Sequence, residues 1–424
     1  MKKILTILAC LPMGVFAQDI NGADTAWIMT STALVLFMTL PGLALFYGGL
    51  VRTKNILSIL MQCFAIAGII SILWFVVGYS IAFSGDNPYF GDFSNVLLVQ
   101  ISINTVNGSI PESLFAVFQM TFAIITPALI IGSYAERMKF SAVLLFSSIW
   151  LLVVYAPVTH WVWGGGWLGN VLDYAGGTVV HITAGIAALV AAIVLGPRKD
   201  FFKKPMPPHN MTMTITGAAM LWVGWFGFNG GSALVAGGDA AMAILVTHIS
   251  AATGAITWMF YEWIKFGKPT ALGTVTGMVA GLGTITSASG FVGPTGALVI
   301  GFISGIVCFN AVIIIKQKFK IDDSLDVFPV HGVGGIIGTL MTGFFASKEL
   351  GIFSGQGGWD RKAIVIADQL QIQFIGVVAT VIYTAVVTYL ILKVVDAITG
   401  LRVSEEEEQQ GLDIVSHEEK GYDL

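Results

Sequence analysis

About eleven apolar runs, each long enough to cross a bilayer as a helix, constrain this 424-residue chain more than any other feature of it. They lie near 24–50, 56–83, 113–134, 141–160, 178–196, 210–230, 241–264, 270–286, 293–315, 327–345 and 364–395, against the roughly 17 to 25 residues that a membrane helix needs. With 55% hydrophobic and 11% charged residues and a mean hydropathy of +0.82, a chain of this length would precipitate as a soluble enzyme. The expected class is an all-α integral membrane protein.

The first residues read differently. MKKILTILACLPMGVFA sets Lys2 and Lys3 before a short apolar stretch and Val15-Phe16-Ala17 after it, the layout of a cleavable signal peptide over 1–17. Cys10 offers a lipoprotein alternative, against which the apolar stretch before it is very short. Cys63 and Cys308 fall inside apolar runs, where packing is the expected role and neither a disulfide nor a cysteine metal site is implied. Positive charge alternates between loops. Arg52, Lys54, Arg137, Lys139, Arg198, Lys199, Lys203, Lys204, Lys265, Lys268, Lys316, Lys318 and Lys320 fall on one side, and only Lys348, Arg361 and Lys362 on the other. The positive-inside rule then places the mature N-terminus outside and the tail, 397–424, in the cytoplasm.

Within the membrane domain, 18–396, two histidines stand out. Each follows an aspartate in an apolar run, in DYAGGTVVHITAG (173–185) and DVFPVHGVGG (326–335). Each has a glycine four residues on, Gly185 and Gly335, and a small residue seven on, Ala188 and Gly338, which makes one narrow His/small/small helix face. Such faces pack closely in lipid, and an ionisable group at membrane depth marks a substrate or proton path by default. Matching positions suggest two inverted five-helix repeats, about 24–196 and 210–345, with one C-terminal span at 364–395 left over. The span ends FYGG (46–49) and GFNGG (227–231) add to that pattern.

Each of these motifs has a bland reading. His181 and His331 can be core histidines satisfied by carbonyls, or facing rings that hold a small substrate or pass a proton. The aromatic clusters HWVWGGGWL (160–168), GWFGFNGGS (224–232) and FQMTFAIITP (118–127) all fall at the outer surface. Interfacial anchoring accounts for any one of them. Three together, with Ser232, make a cage for a small cation, worth about 0.5 to 2 kcal/mol per ring face. Asp173 and Asp326 suit helix capping, and Pro329 suits a first helical turn. The charged tail reads as a solvated end, and the basic loop 198–210 as an anchor to anionic lipid.

Taken together, FYGGLVRTKN (46–55), AERMKFSA (135–142), the two histidine segments, GWFGFNGGSA (224–233) and GLRV…GLD…SH resemble the ammonium transporter family, the Amt, Mep and Rhesus proteins. The resemblance runs in order through the mature chain and is nearest the bacterial Amt branch. It implies eleven spans, a pseudo-twofold repeat and a homotrimer with one pore per subunit in the bacterial plasma (inner) membrane. Carried over motif by motif, an outer recruitment site resembles Phe122, Trp163 and Ser232, and a stacked gate resembles Phe122 and Phe228. The twin pore histidines are His181 and His331, and Asp173, Trp225 and Thr286 match supporting positions. The chain departs at Glu418, where the family has Gly after His, and at Pro329, where it has a small residue before Val-His. The resemblance also implies a cytoplasmic PII regulatory protein as partner. Neither a cofactor nor a nucleic-acid partner is expected.

The expected function is ammonium uptake. The ion is recruited at the aromatic site, deprotonated, and passed as ammonia through the twin-histidine pore, with a proton able to cross separately. A bare ion at the bilayer centre costs several kcal/mol or more, about what the neutral amine avoids. An ammonium sensor that signals through a cytoplasmic partner is the alternative. A metal-dependent intramembrane enzyme built on His181, His331, Asp173 and Asp326 lacks HExxH or other close ligand spacing, so the chain is not expected to be an enzyme.

Overall fold

The computed structural model describes residues 20–356 and 364–423. The signal-peptide expectation over 1–17, Cys10, Arg361 and Lys362 lie outside those residues. Ten helical stretches among them are long and apolar enough to cross a membrane. These are α1 (Gly22–Leu50), α2 (Thr53–Phe83), α3 (Glu112–Tyr134), α4 (Phe140–Val162), α5 (Gly177–Leu195) and α6 (Met211–Gly231), then, one helix skipped, α7 (Gly238–Phe266), α9 (Pro294–Lys318), α10 (Phe328–Phe345) and α11 (Ile366–Thr399). The skipped helix, α8 (Ala271–Ile285), fills the place of the run expected at 270–286 but has only 15 residues. At 1.5 Å per residue it rises about 22 Å, short of the roughly 30 Å hydrocarbon layer. A two-residue hairpin, β1 (Val106–Asn107) with β2 (Ile110–Pro111), sits in the α2–α3 loop.

Glycine brings the helices together. Methyls at Gly224 and Gly227 of α6 would run into Met38, Leu34 and Ser31 of α1, and methyls at Gly254 and Gly277 would collide where α7 meets α8. Small residues thus let backbones approach where no hydrophobic force between helices exists in lipid. The periphery carries exposed Phe64, Ile72, Ile264 and Ile382, an apolar jacket that only lipid or another apolar surface can cover. Helix α11 clasps the bundle from one side through buried Gln373, whose Nε2 donates to the carbonyls of Leu172 and Thr339 while its Oε1 accepts from Leu172 N–H.

The tail is packed rather than solvated, which corrects the compositional expectation. Val403 N–H donates to Arg137 O, and Lys139 N–H to Leu401 O. Two short helices follow, α12 (Glu405–Gln410) and α13 (Leu412–His417). Glu408 is buried and accepts from Lys199 N–H at 2.8 Å and Arg402 Nη2 at 2.7 Å. Asn55 Oδ1 accepts from Leu412 N–H, and Asp413 Oδ1 from Ser58 N–H, each at 2.8 Å. Fixed partners on distant loops thus overcome the solvation that an EEEE run favours by itself.

Candidate functional site

Glu112, Phe115, Gln119 and Phe122 recur along α3 at helical spacing, so they share one face. All four line a cavity of about 840 Å³. Trp163, the residue that ends α4, and Ser232, just past the end of α6, line it too. The Phe122 ring stands edge-on to Trp163 with centroids 6.0 Å apart and stacks on Phe228 at 4.2 Å. Both phenylalanines are buried, so the pair closes the cavity floor. Trp163 Nε1 donates to the Asp173 carbonyl at 2.7 Å, which sets the indole. Ser232 Oγ donates to the Phe228 carbonyl at 2.8 Å, which leaves its lone pairs as what it can offer a ligand. The structure therefore brings the expected recruitment and gate residues together.

Beneath the phenylalanines, the His181 ring lies nearly parallel to the rings of Trp225 and His331, at centroid distances of 5.5 and 5.2 Å and an interplanar angle of 17° to each. His181 Nδ1 lies 3.1 Å from His331 Nδ1. At that distance one nitrogen carries a hydrogen and the other a lone pair. A void of about 10 Å³ is lined by His181, Trp225, Phe228 and His331 amid apolar side chains, roughly the room one small molecule needs. His181 Nε2 is buried with no hydrogen-bond partner among the described residues. Trp225 Nε1 donates to Thr286 Oγ1 at 2.9 Å, and that hydroxyl donates to Leu282 O at 2.7 Å, so Thr286 acts by fixing the indole. From the other end, a second vestibule of about 450 Å³ reaches His331 past Tyr47, Lys316 and Asp326.

Local backbone aims the two rings. His181 lies in a π-helical turn, Gly177–Ile182, that opens α5, and His331 in another, Phe328–Gly332, that opens α10. Wide turns of this kind recur at functional sites because they turn a side chain off the regular helical face. Asp173 organises the first: its Oδ1 accepts from Gly176 N–H, and its Oδ2 from Thr178 and Val179 N–H, at 2.9 to 3.0 Å. Burial pushes its carboxyl up to about 6, and these donors hold it from rising further. The second turn is held by Asp323, not Asp326. Asp323 stands eight residues before its histidine, as Asp173 does, and accepts from Phe328 N–H at 2.7 Å. Burial, with Asp326 adding, pushes Asp323 up to about 6 as well. Asp326 takes a left-handed φ of 61° and pairs with Lys316 Nζ at 2.9 Å. The capping expectation for Asp326 fails because that backbone turns its carboxylate away.

The helices cross reciprocally. A methyl at Gly185, four residues after His181, would overlap the Gly332 backbone, and one at Gly335, four after His331, would meet Gly177 O at 2.8 Å and Ile182 N at 3.0 Å. Among the described residues no group of three or more His, Cys, Asp or Glu side chains is placed to hold a metal. Sequence reasoning missed Gln119, which carries no motif of its own, and Asp323, whose only signal is the shared spacing of eight.

This fold, with ten helices long and apolar enough to cross a membrane among the described residues, defines a multi-pass helical membrane protein. A family model described as Ammonium Transporter Family matches residues 26–422. A "Putative ammonium transporter" of Methanothermobacter thermautotrophicus is 48% identical over 96% of this chain and 99% of that protein. A solved structure titled "Sensor Amt Protein" aligns with a TM-score of 0.85 at 30% identity, over 93% of this chain and 98% of that one. Candida albicans Mep2 aligns at 0.83 and 35% identity, over 92% and 88%. The chain belongs to the Ammonium Transporter Family.

Proposed function

We propose that this protein takes up ammonium across a bacterial inner membrane, as a homotrimer with one pore per subunit, its N-terminus outside and its tail inside. The observation that carries the reading is the stacked Phe122/Phe228 pair lying over the linked histidines, with a vestibule at each end. The reciprocal packing of Gly185 and Gly335 and the paired π-turns support two inverted five-helix repeats with α11 outside them. The tail and the loops it binds are the surface that a PII protein would meet.

The cation is recruited where Phe122 and Trp163 present ring faces and Ser232 a lone pair. Below the gate the walls are too apolar and too narrow for a hydrated ion, and a charge at membrane depth costs about 2.5 kcal/mol or far more. The ion therefore gives up a proton at the gate. Asp173 serves by holding the turn that aims His181, and its buried charge lies near the site of proton loss. The neutral amine donates to or accepts from the imidazole nitrogens, slips past His331 and regains a proton in the second vestibule. The released proton either returns outward or follows through the histidines. The fold shared with the "Sensor Amt Protein" keeps signalling through a partner as the rival reading.

Current evoked by ammonium in proteoliposomes tests this, beside His181→Ala, His331→Ala and a potassium control. Current with ammonium and not potassium, altered or lost in the variants, supports transport with net charge movement. A rapid internal pH change without current supports neutral conduction. No response of either kind rejects the transport reading in favour of sensing.

A further inference from the structure

Helix α8 is too short to span, yet one of its faces follows the passage. Leu272, Thr276, Val279 and Gly283 recur at helical spacing, and Thr286 continues the series just past the helix end. Leu272 and Thr276 line the second vestibule, and Val279 lines both that vestibule and the void between the rings. Thr286 holds the Trp225 indole. Gly283 is the member of this face that meets the histidines, and it brings no side chain.

Glycine is common in membrane helices, above all for close packing, and other glycines of α8 fit that account. A methyl at Gly273 would run into the Glu262 carboxylate, one at Gly277 into Trp258 and the Gly254 carbonyl, and one at Gly281 into the Ser250 carbonyl. Gly283 is different. It is buried, its φ is not left-handed, and a methyl there would meet nothing closer than His331 Nδ1 at 3.8 Å, Val330 O at 3.9 Å and His181 Cε1 at 4.0 Å. Those are ordinary van der Waals separations, so alanine would fit, and alanine is the better helix former. Neither packing nor backbone conformation asks for glycine at this place. What it leaves is a recess one methyl deep, bounded by both imidazoles beside the contact between their Nδ1 atoms.

We propose that Gly283 is the size gauge of the passage: its recess beside the histidines takes the alkyl carbon of a small primary amine, so that one methyl group passes with the nitrogen and a longer chain is held back. The proposal rests on the transport reading of the same passage. While the amine nitrogen exchanges hydrogen bonds with the imidazole nitrogens, its methyl occupies the place that a Cβ at position 283 would take, where contacts of 3.8 to 4.0 Å are favourable. Substrate methyl and side-chain methyl therefore compete for one space. An ethyl group carries one carbon more than that space holds.

The test is transport of ammonium, methylammonium and ethylammonium by the full-length protein in proteoliposomes, read as current or as internal pH change. The chains compared are the unmodified protein, Gly283→Ala and Gly281→Ala. In the unmodified protein methylammonium should pass, and ethylammonium should be about 10-fold or more slower, the range that one methylene too many commands. Gly283→Ala should leave the ammonium rate and the melting point in detergent nearly unchanged while it cuts the methylammonium-to-ammonium ratio about 10-fold or more. Gly281→Ala, where packing demands glycine, should lower the melting point and all rates together. A ratio in Gly283→Ala equal to the parent's overturns the gauge, as does ethylammonium passing as fast as methylammonium. A fall of all rates in step in Gly283→Ala marks a packing glycine and overturns it too. Absence of any ammonium response in the unmodified protein rejects the transport reading itself.

Discussion

Glu418 holds a backbone conformation that its side chain resists. Its φ of 55° closes α13 in the left-handed region, where an L-residue is disfavoured by about 1–2 kcal/mol relative to its right-handed form and glycine is not. The glycine that the resemblance implies at this place would suit that geometry, and the chain holds the geometry with Glu418. Glu418→Gly is expected to stabilise the tail by about 1 kcal/mol, after allowing for glycine's freer unfolded state, seen as slower amide exchange over the last two turns. Thr286 makes the converse case. Thr286→Val removes the acceptor of a buried indole N–H, so a loss of about 1–3 kcal/mol is expected, measured as a lower melting point in detergent. The loosened Trp225 should also slow ammonium flux. Thr286 is visible in TITSAS only by resemblance, because nothing in that stretch announces a tryptophan 61 residues away.

At the scale of the element, α5 and α10 are built alike and were legible to different depths. The faces His181/Gly185/Ala188 and His331/Gly335/Gly338 can be read from spacing, and the structure uses those glycines where the helices cross. The π-turns cannot be read, because GTVVHI and FPVHG look the same in either winding. Nor can the choice between Asp323 and Asp326, since the nearer acid is the natural guess until φ at 326 is known. The apolar run at 270–286 was legible as a helix, but not that the helix there, Ala271–Ile285, has only 15 residues and falls short of a full span. Asp323 gives this element a pH signature. Burial lifts its carboxyl up to about 6 in the folded chain, against about 3.9 unfolded. The folded state therefore binds more protons between those values, and stability falls as pH rises from about 4 to 6, then levels. Melting in detergent across that range should show the decline, and Asp323→Asn should flatten part of it.

Across the whole molecule, one buried charge cluster ties both halves to the tail. Glu136 accepts from Arg52 N–H at 2.7 Å, Arg52 Nε at 3.0 Å, Asn55 Nδ2 at 3.0 Å and Arg198 Nη1 at 2.9 Å. Arg198 forks onto both Asp322 oxygens at 2.9 Å. Burial alone would raise the Glu136 carboxyl, but Arg198 and Arg52 hold it below its ordinary value. Its stabilising contribution is therefore present at neutral pH and lost as pH falls below about 4.5. Removing one partner of a buried ion pair typically costs about 3–5 kcal/mol. Glu136→Gln is expected to cost that much at pH 7 and to free the tail to protease, whereas in strong acid the variant and the parent should converge. The alternation of positive loops was legible in the sequence, yet the acids that bind them were not. Glu136, Asp322 and Glu408 come from three separate segments, and only the folded bundle gathers them.

That cluster also sets an order on synthesis. Arg52 is among the first charges to emerge, and Glu408, 4.0 Å from its guanidinium, is among the last. Asn55 and Ser58 likewise await Leu412 and Asp413. A chain halted after its final helix would have every membrane segment in place and still present an unfilled cationic socket at its base. The tail therefore completes the charge balance at that base, because Glu408 is the acid that Arg52 and the Lys199 N–H meet there.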